Sequence, residues 1–155
     1  MPVFRSPARL LLAVLLAGCA ASPVGPPTIR YGTSPCAECH MLINEARFAA
    51  VALTGAGEPV LFDSTECLAR YFRRHGALSR VWVHDYGSDR WLAAEDAFYV
   101  VSSKLMTPMG QGIVATASTP EANRLAGAVH GRVLRFAQLT ALIDSSVAAN
   151  EQRSP

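Results

Sequence analysis

Between residues 47 and 136, short apolar runs alternate with two longer stretches in which apolar residues recur every three or four positions. The short runs are rich in β-branched and aromatic residues and predict strands at residues 60–62, 81–83, 98–101 and 133–134. The longer stretches predict helices with one apolar face, made by Leu68, Tyr71, Phe72 and His75 in the first and by Ala122, Leu125, Ala126 and Val129 in the second. This mixture predicts an α+β fold.

The surroundings of the two helices are alike, which indicates an internal repeat. Each segment contains two apolar runs, a helix and a further apolar run, and the segments are residues 47–85 and 96–136. Asp63 with Glu66, and Ser118 with Glu121, have the spacing of a capping box, and both helices finish on His-Gly, as expected when glycine follows the last turn. We therefore predict one α+β domain built from two strand-strand-helix-strand units, although two unrelated hairpin-helix segments would give the same pattern by coincidence.

The N-terminal residues have the layout of an export signal that ends in a lipid-attachment site. Arg5 and Arg9 precede an apolar run that is too short to span a bilayer, and the run leads into Leu-Ala-Gly-Cys at residues 16–19. Small residues before a cysteine are typical of the bacterial lipoprotein cleavage box, so Cys19 is the predicted lipid attachment site. The alternative is an ordinary signal peptide followed by an unmodified cysteine.

These features divide the chain into four predicted parts. Residues 1–18 form a lipoprotein signal peptide, and residues 19–35, rich in alanine, serine, proline and glycine, form a flexible tether behind the lipidated cysteine. Residues 36–137 form the globular domain, and residues 138–155 form a C-terminal helix and tail. With 50% hydrophobic residues in 155, the chain has enough apolar side chains for one compact core.

Charge excludes some classes of partner. The full chain has 14 basic and 12 acidic residues. Removal of the signal peptide takes away two arginines and no acid, which leaves the two signs balanced at 12 each. A balanced chain without basic clusters predicts no nucleic-acid partner and no polybasic membrane contact. The predicted contact with the membrane is the lipid on Cys19.

Once Cys19 carries a lipid, three cysteines remain: Cys36, Cys39 and Cys67. Exported proteins meet an oxidising environment in which thiols pair. Three thiols cannot all pair within one chain, so at least one is free or is held by a metal.

The run Cys-Ala-Glu-Cys-His-Met at residues 36–41 admits three interpretations. As a redox pair, Cys36 and Cys39 would catalyse thiol-disulfide exchange. In such pairs a helix N-terminus normally lowers the pKa of the catalytic thiol, and the sequence after Cys39 leaves little room for a long helix. As a structural zinc site, the run would use Cys36, Cys39 and His40, with Cys67 completing a tetrahedron, although adjacent cysteine and histidine rarely reach one ion and zinc has no use for a thioether.

Copper(I) is the third interpretation, since this soft ion prefers thiolate and thioether sulfur. Cys39 and Met41 are two residues apart, so in an extended segment their side chains would point to one side. Further sulfur is available in the loop at residues 104–112, where Met106 and Met109 lie among proline and glycine. Packing remains the alternative for either loop methionine, and a buried inert thiol is the simpler interpretation of Cys67.

The order of these motifs resembles the NosL family of nitrous-oxide-reductase accessory lipoproteins. The similar segments are Cys-x-x-Cys-His-Met-x-Ile (36–43), Arg-Phe-Ala-Ala (47–50), FDSTECLARYF (62–72), VWVHD (81–85), Trp91, AFYVVSS (97–103), TPMGQG (107–112) and GRVLRF (131–136). The resemblance implies two strand-strand-helix-strand units and a non-enzymatic, lipid-anchored copper(I) chaperone that faces the periplasm. It also implies delivery of copper for the copper–sulfide centre of nitrous oxide reductase, with the apo-reductase or its maturation complex as partner. Separately, we expect the chain to be a monomer.

The resemblance also assigns ligands. The family's Cys-x-Met falls on Cys39 and Met41, and its loop methionine falls on Met109. Cys36, Met106 and His40 are second-rank candidates. Some members lack an equivalent of Cys36, which therefore has three open roles: an added ligand, a transfer thiol, or a partner that closes the site by pairing with Cys39 on oxidation. The functional alternatives are a periplasmic thiol-disulfide oxidoreductase for cuproprotein cysteines and a structural zinc-binding lipoprotein.

Overall fold

The computed structural model describes residues 25–76, 78–88 and 90–151. The predicted signal peptide, Cys19, the first part of the predicted tether and the last four residues lie outside the described residues.

The first predicted unit forms a four-stranded antiparallel sheet with one helix. After a 3-10 turn at Ala46–Phe48, the elements are β1 (Ala50–Leu53), β2 (Pro59–Phe62), α1 (Thr65–His75), β3 (Arg80–His84) and β4 (Trp91–Ala93). The strands lie in the order β2-β1-β3-β4, and Val51 of β1 faces Leu61 on one side and Trp82 on the other.

The second unit repeats this arrangement. Its elements are β5 (Phe98–Val101), β6 (Ile113–Thr116), α2 (Thr119–Val129) and β7 (Arg132–Leu134), with strand order β6-β5-β7. In both sheets the first strand of the unit lies between the second strand and the strand that follows the helix. The predicted α+β domain of two strand-strand-helix-strand units is therefore confirmed.

The two units share one core. The Tyr86 N–H donates to the carbonyl oxygen of Ala115 over 2.8 Å, which joins the end of β3 to β6. The final helix, α3 (Phe136–Glu151), packs on α1 and buries Leu139 and Ile143. The largest apolar side chains that are fully buried are Phe62, Ile43, Leu68 and Leu139, followed by Val51, Val83, Val100 and Val114. Each contributes about 1.5–3 kcal/mol by leaving water.

The chain joins this core earlier than the predicted domain boundary at residue 36. Ile29, within the predicted tether, is only 8% exposed and packs in the main core cluster. Gly32 N–H then donates to the carbonyl oxygen of Ile43 over 2.8 Å, and Pro35 pairs with Leu42. The segment before Cys36 is thus part of the folded structure from Ile29 onward.

The helix starts agree with the prediction in one unit only. Ser118 caps α2, and its hydroxyl contacts the Glu121 carboxylate over 2.8 Å, as predicted. At α1 the predicted capping box is wrong, because the cap is Ser64 and the residue three positions later is Cys67, whose N–H donates to Ser64 Oγ over 3.2 Å. Glu66 therefore takes no part in capping, and its side chain is fully buried in the protein interior.

The two helices also end differently. Gly76 caps α1 with a φ of 78°, as expected for glycine. At α2 the left-handed residue is His130, with a φ of 51°, and not the glycine that follows it. Gly131 has another role, because a Cβ there would lie 2.8 Å from the carbonyl oxygen of Val101 in the neighbouring strand.

Candidate metal centre

Residues 36–41 form a tight turn that closes on its own ends. The Cys36 N–H donates to the carbonyl oxygen of Met41 over 2.8 Å, and the His40 N–H donates to the carbonyl oxygen of Cys36 over 3.1 Å. His40 takes a left-handed conformation with a φ of 62°. The predicted extended segment, with Cys39 and Met41 pointing to one side by strand alternation, is therefore wrong. These residues are neighbours within a turn.

The start of α1 brings a third cysteine to this turn. The Ala37 N–H donates to the carbonyl oxygen of Leu61 over 2.9 Å, which fixes the turn on the end of β2, just before α1 begins. The Sγ atoms of Cys36, Cys39 and Cys67 consequently lie within 4.8 Å of one another. All three thiols are free. We refer to these three residues as the thiol cluster.

Cys67 is the member of the cluster for which the sequence favoured a buried, inert thiol. The available sequence signal was its position three residues after a helix cap, beside a strand end, because sulfur at a helix N-terminus suits anionic chemistry. What the sequence does not reveal is that the turn at residues 36–41 pairs with that same strand end.

The three thiols have different pKa values because their hydrogen bonds differ. The Cys67 S–H donates to Cys36 Sγ, and backbone N–H groups of Cys39, Asp63 and Glu38 also point at that sulfur. Against the opposing effect of burial, these donors lower the pKa of Cys36 to about 5. The same hydrogen bond and burial raise the pKa of Cys67, and burial raises the pKa of Cys39. In the metal-free cluster these shifts favour a thiolate on Cys36 over one on Cys39 or Cys67.

The methionine loop, residues 104–112, is attached to the same end of α1. The Thr107 hydroxyl donates to Glu66 Oε1 over 2.5 Å, and the Ile113 N–H donates to the same oxygen over 3.2 Å. The Gly112 N–H in turn donates to Thr107 Oγ1 over 3.1 Å. Glu66 is the residue before Cys67, so one helix start holds both the third thiol and the loop.

The methionines differ in what they contact. Met41 is 49% exposed and lines a cavity of about 230 Å³ together with Pro108 of the loop. Met109, next to Pro108, is half-buried, and like Cys39 it packs against the core cluster that contains Cys36 and Cys67. Met106 is 86% exposed and lines a different cavity, with Tyr86 and Leu125. His40 is exposed and is not part of the thiol cluster.

Three clustered thiols next to thioethers form a donor set for a soft cation. A closed zinc site needs four ligands, and among the described residues no histidine or carboxylate joins the three sulfurs. Redox catalysis needs an accessible thiolate at a helix N-terminus. Here the thiolate belongs to Cys36, which is 1% exposed and lies in a turn, so the geometry favours metal binding over disulfide exchange.

In the described part of the chain, no helix has the length and apolar character needed to cross a bilayer.

Known proteins resemble this chain in family profile, in sequence and in structure. The family profile described as NosL matches residues 29–143. The copper-binding lipoprotein NosL of Stutzerimonas stutzeri is 29% identical over 154 residues, which cover 87% of this chain and 81% of that protein. The crystal structure of the copper chaperone NosL from Shewanella denitrificans superimposes with a TM-score of 0.64 at 23% identity, covering 74% of this chain and 95% of that chain. At this identity the structural match shows a common fold.

Proposed function

The chain belongs to the NosL family, and from that premise we propose that it is a carrier of copper(I) in the bacterial cell envelope and not an enzyme. The two relatives are named a copper-binding lipoprotein and a copper chaperone. The observation that carries the proposal is the thiol cluster beside the methionine loop, because sulfur donors at low coordination number are what copper(I) prefers.

Cys39 is the main ligand in this proposal, and Met41 and Met109 supply thioethers. Cys39 is the member of the cluster that is partly exposed, so an incoming ion meets its sulfur first. Met41 follows it in the same turn, and the cavity shared by Met41 and Pro108 places the loop beside the turn. Met106 and His40 are less suited, since both side chains are turned toward solvent.

A shallow, sulfur-rich site suits delivery. An acceptor's ligand can reach the ion at the half-exposed Cys39 and Met41 before the last donor bond breaks, so copper passes by associative exchange without becoming free. We propose that the acceptor is apo nitrous oxide reductase, or its maturation complex, and that the copper serves its copper–sulfide centre. Support comes from the ordered resemblance of the segments between residues 36 and 136 to this family of accessory proteins.

The proposed location is the periplasmic side of a bacterial membrane, with the lipid on Cys19 as anchor. The support is the Leu-Ala-Gly-Cys sequence at residues 16–19 and the relative named as a lipoprotein. Mass spectrometry of the membrane fraction tests it: an acylated N-terminal Cys19 is expected, and an unmodified one contradicts it.

The copper site is tested by anaerobic competition between the full chain and a chromophoric copper(I) chelator. Cys39→Ser should abolish tight binding, and Met41→Leu or Met109→Leu should weaken it, because each removes a sulfur donor from the ion. Met106→Leu is the matched control, since its thioether lies on the solvent side, and its affinity should stay near that of the wild type. Wild-type affinity in Cys39→Ser refutes the site.

The recipient is tested separately by mixing the copper-loaded chain with apo nitrous oxide reductase and measuring the metal content of each protein after separation. Copper should move to the reductase faster than from the copper–chelator complex alone. Equal rates from both sources would remove nitrous oxide reductase as the recipient and leave copper binding intact.

A further inference from the structure

Cys36 and Cys67 are more deeply buried than Cys39, and neither is among the three copper ligands of the proposed carrier. We propose that Cys36, Cys39 and Cys67 form a second, interior copper station with three thiolate ligands, and that Cys39 belongs to both this station and the outer one. The inference rests on the proposed copper(I) function and deepens it, because it says where the ion resides between loading and delivery.

The spacing of the sulfurs fits a three-coordinate ion. With metal–sulfur bonds of about 2.3 Å, three ligands in a plane around one ion lie about 4 Å apart. The Sγ atoms of the cluster all lie within 4.8 Å of one another without any ion. Closing the cluster on an ion therefore needs side-chain shifts of less than an ångström or so and no change of backbone.

The backbone around the cluster is already fixed in position. The turn that carries Cys36 and Cys39 is closed by its own hydrogen bonds and is attached to β2 through Ala37. Cys67 is held by the cap at Ser64. Ligands that are held in place before the ion arrives lose little conformational entropy on binding, which raises affinity.

Backbone N–H groups and a helix dipole offset part of the negative charge that the interior station would bury, while the nearby Asp63 carboxyl, whose pKa is raised by burial and by Cys36, opposes that charge. Three thiolates around one monovalent ion leave two negative charges in a buried site, which burial alone would oppose. Backbone N–H groups of Glu38, Cys39 and Asp63 point at Cys36 Sγ, and Cys67 lies in the first turn of α1, where the helix dipole is positive. These groups stabilise negative charge at two of the three sulfurs.

Exposure gives the two stations different tasks. Cys36 is 1% exposed and Cys67 is fully buried, whereas Cys39 and Met41 reach the surface. An ion bound only through the outer sulfurs is open to competing small thiols. An ion shifted inward by one step is shielded from them and returns to the surface through Cys39, the shared ligand.

The inward step balances as a ligand exchange without redox change. Copper stays monovalent and keeps its bond to Cys39 sulfur. Its bonds to the Met41 and Met109 thioethers break, and bonds to Cys36 and Cys67 sulfur form. The proton on the Cys67 thiol goes to solvent, and no oxidant or reductant takes part.

The first test uses the wild-type full chain and needs no variant. The probe is copper(I) alone, added anaerobically to protein whose cysteine Cβ atoms are ¹³C-labelled, and the readout is the NMR chemical shift of each cysteine Cβ. All three cysteines should shift in step with one equivalent of copper. A shift confined to Cys39 overturns the interior station and leaves the proposed carrier function standing, while no shift and no binding remove both.

The second test measures copper(I) affinity in Cys36→Ser and Cys67→Ser by chelator competition. Loss of a residue that only hydrogen-bonds to a metal ligand typically lowers metal affinity roughly 10–100-fold. Loss of a ligand itself, as in each of these variants, should weaken binding by at least that factor. Ala69→Ser is the matched control, because it also places a hydroxyl at a buried position of α1 but removes no sulfur. Wild-type affinity in both cysteine variants overturns the inference.

Discussion

At the scale of single residues, three identical side chains have three different states because their neighbours differ. Hydrogen bonds lower the pKa of Cys36, the hydrogen bond to Cys36 and burial raise the pKa of Cys67, and burial raises the pKa of the partly exposed Cys39. Negative charge in the metal-free cluster is therefore favoured at the buried Cys36 over the surface thiol of Cys39.

The state of Cys36 predicts how stability depends on pH. Its pKa is depressed to about 5 from an ordinary value of 9.0, so the folded protein binds fewer protons than the unfolded chain between these values. The stabilisation is complete above pH 9 and is lost as the pH falls through 5. In that window the free energy of unfolding should rise with pH by up to about 1.4 kcal/mol per unit.

Above pH 9 the sign reverses, because the raised pKa of Cys67 makes the folded protein keep a proton that the unfolded chain releases. Denaturant unfolding of the metal-free, reduced protein from pH 5 to 10, compared with Cys36→Ser, measures both the rise and the fall of the free energy of unfolding with pH. An equal pH dependence in the two proteins contradicts the assignment of the thiolate to Cys36.

At the scale of secondary structure, the first turn of α1 has three tasks in four consecutive residues. Ser64 caps the helix, Glu66 holds the methionine loop, and Cys67 contributes a thiol to the cluster. In α2 the equivalent turn has a capping box and no site. The helix that lacks the capping box is thus the one whose first turn contributes to the candidate site.

Glu66 should matter to both stability and copper affinity. Glu66→Ala leaves the Thr107 hydroxyl and the Ile113 N–H without their acceptor. Each buried donor that loses its hydrogen-bond partner lowers the free energy of unfolding by about 1–3 kcal/mol. Because Thr107 shapes the loop that carries Met109, copper(I) affinity should fall as well.

The matched control for this variant is Glu121→Ala, which removes a glutamate from the first turn of the other helix, where its carboxylate contacts the Ser118 hydroxyl. It should cost at most about 1 kcal/mol, typical of a cap, and leave copper affinity unchanged. Denaturant unfolding and chelator competition measure the two effects. Equal losses in both variants would mean that Glu66 does not position the loop.

Two glycines of the methionine loop should respond differently to alanine. Both have positive φ, 69° at Gly110 and 68° at Gly112, but a Cβ at Gly112 would lie 1.8 Å from the carbonyl oxygen of Ser102, whereas Gly110 has open space. Gly110→Ala should cost about 1–2 kcal/mol for its backbone conformation alone. Gly112→Ala should cost at least about 3 kcal/mol, because the loop must move away from β5.

Thermal or denaturant unfolding of both glycine variants measures this difference. A Gly112→Ala protein as stable as Gly110→Ala would show that the loop is not held against Ser102. The comparison is internal to one loop, so effects on the rest of the domain cancel.

The elements were largely predictable from sequence, because strand alternation, helical periodicity and glycine at helix ends are local signals. The repeat followed from the same signals, and both sheets show it. The errors are also local. Nothing in the sequence marks Ser64 over Asp63 as the cap, or His40 as a left-handed residue that turns an extended segment into a closed one.

The site was only partly predictable, because its members meet through long-range packing. The sulfur chemistry of residues 36–41 was recognised from sequence, as were the loop methionines, among which the resemblance selected Met109. Cys67 was considered only as a zinc ligand, since its place in the cluster depends on the pairing of Ala37 with Leu61 across the end of β2. A hydrogen bond between residues 24 positions apart leaves no periodic pattern in the sequence.

At the scale of the whole molecule, the candidate site is a product of both units. The turn and α1 come from the N-terminal side of the chain, and the methionine loop lies between β5 and β6 of the second unit. Glu66 and the Tyr86–Ala115 hydrogen bond join the two units. The turn, the start of α1 and the methionine loop are therefore brought together only when the entire domain is folded.

Copper(I) should consequently stabilise the domain as a whole. An ion that binds the folded state but not the unfolded chain stabilises by about 2.7 kcal/mol when its free concentration is one hundred times its Kd. For a domain of this size that corresponds to a Tm increase of roughly 10 °C. Residual binding to thiols of the unfolded chain reduces the increase.

Anaerobic calorimetry with copper buffered by a chelator measures this increase. A single unfolding transition is expected, because the two units pack in one core cluster. Cys39→Ser should show almost no increase, since the ligand common to both copper stations is absent. Met106→Leu, with its thioether outside the site, should match the wild type. A wild-type Tm that does not respond to copper, or a Cys39→Ser protein that responds equally, would show that copper does not stabilise the folded domain through Cys39.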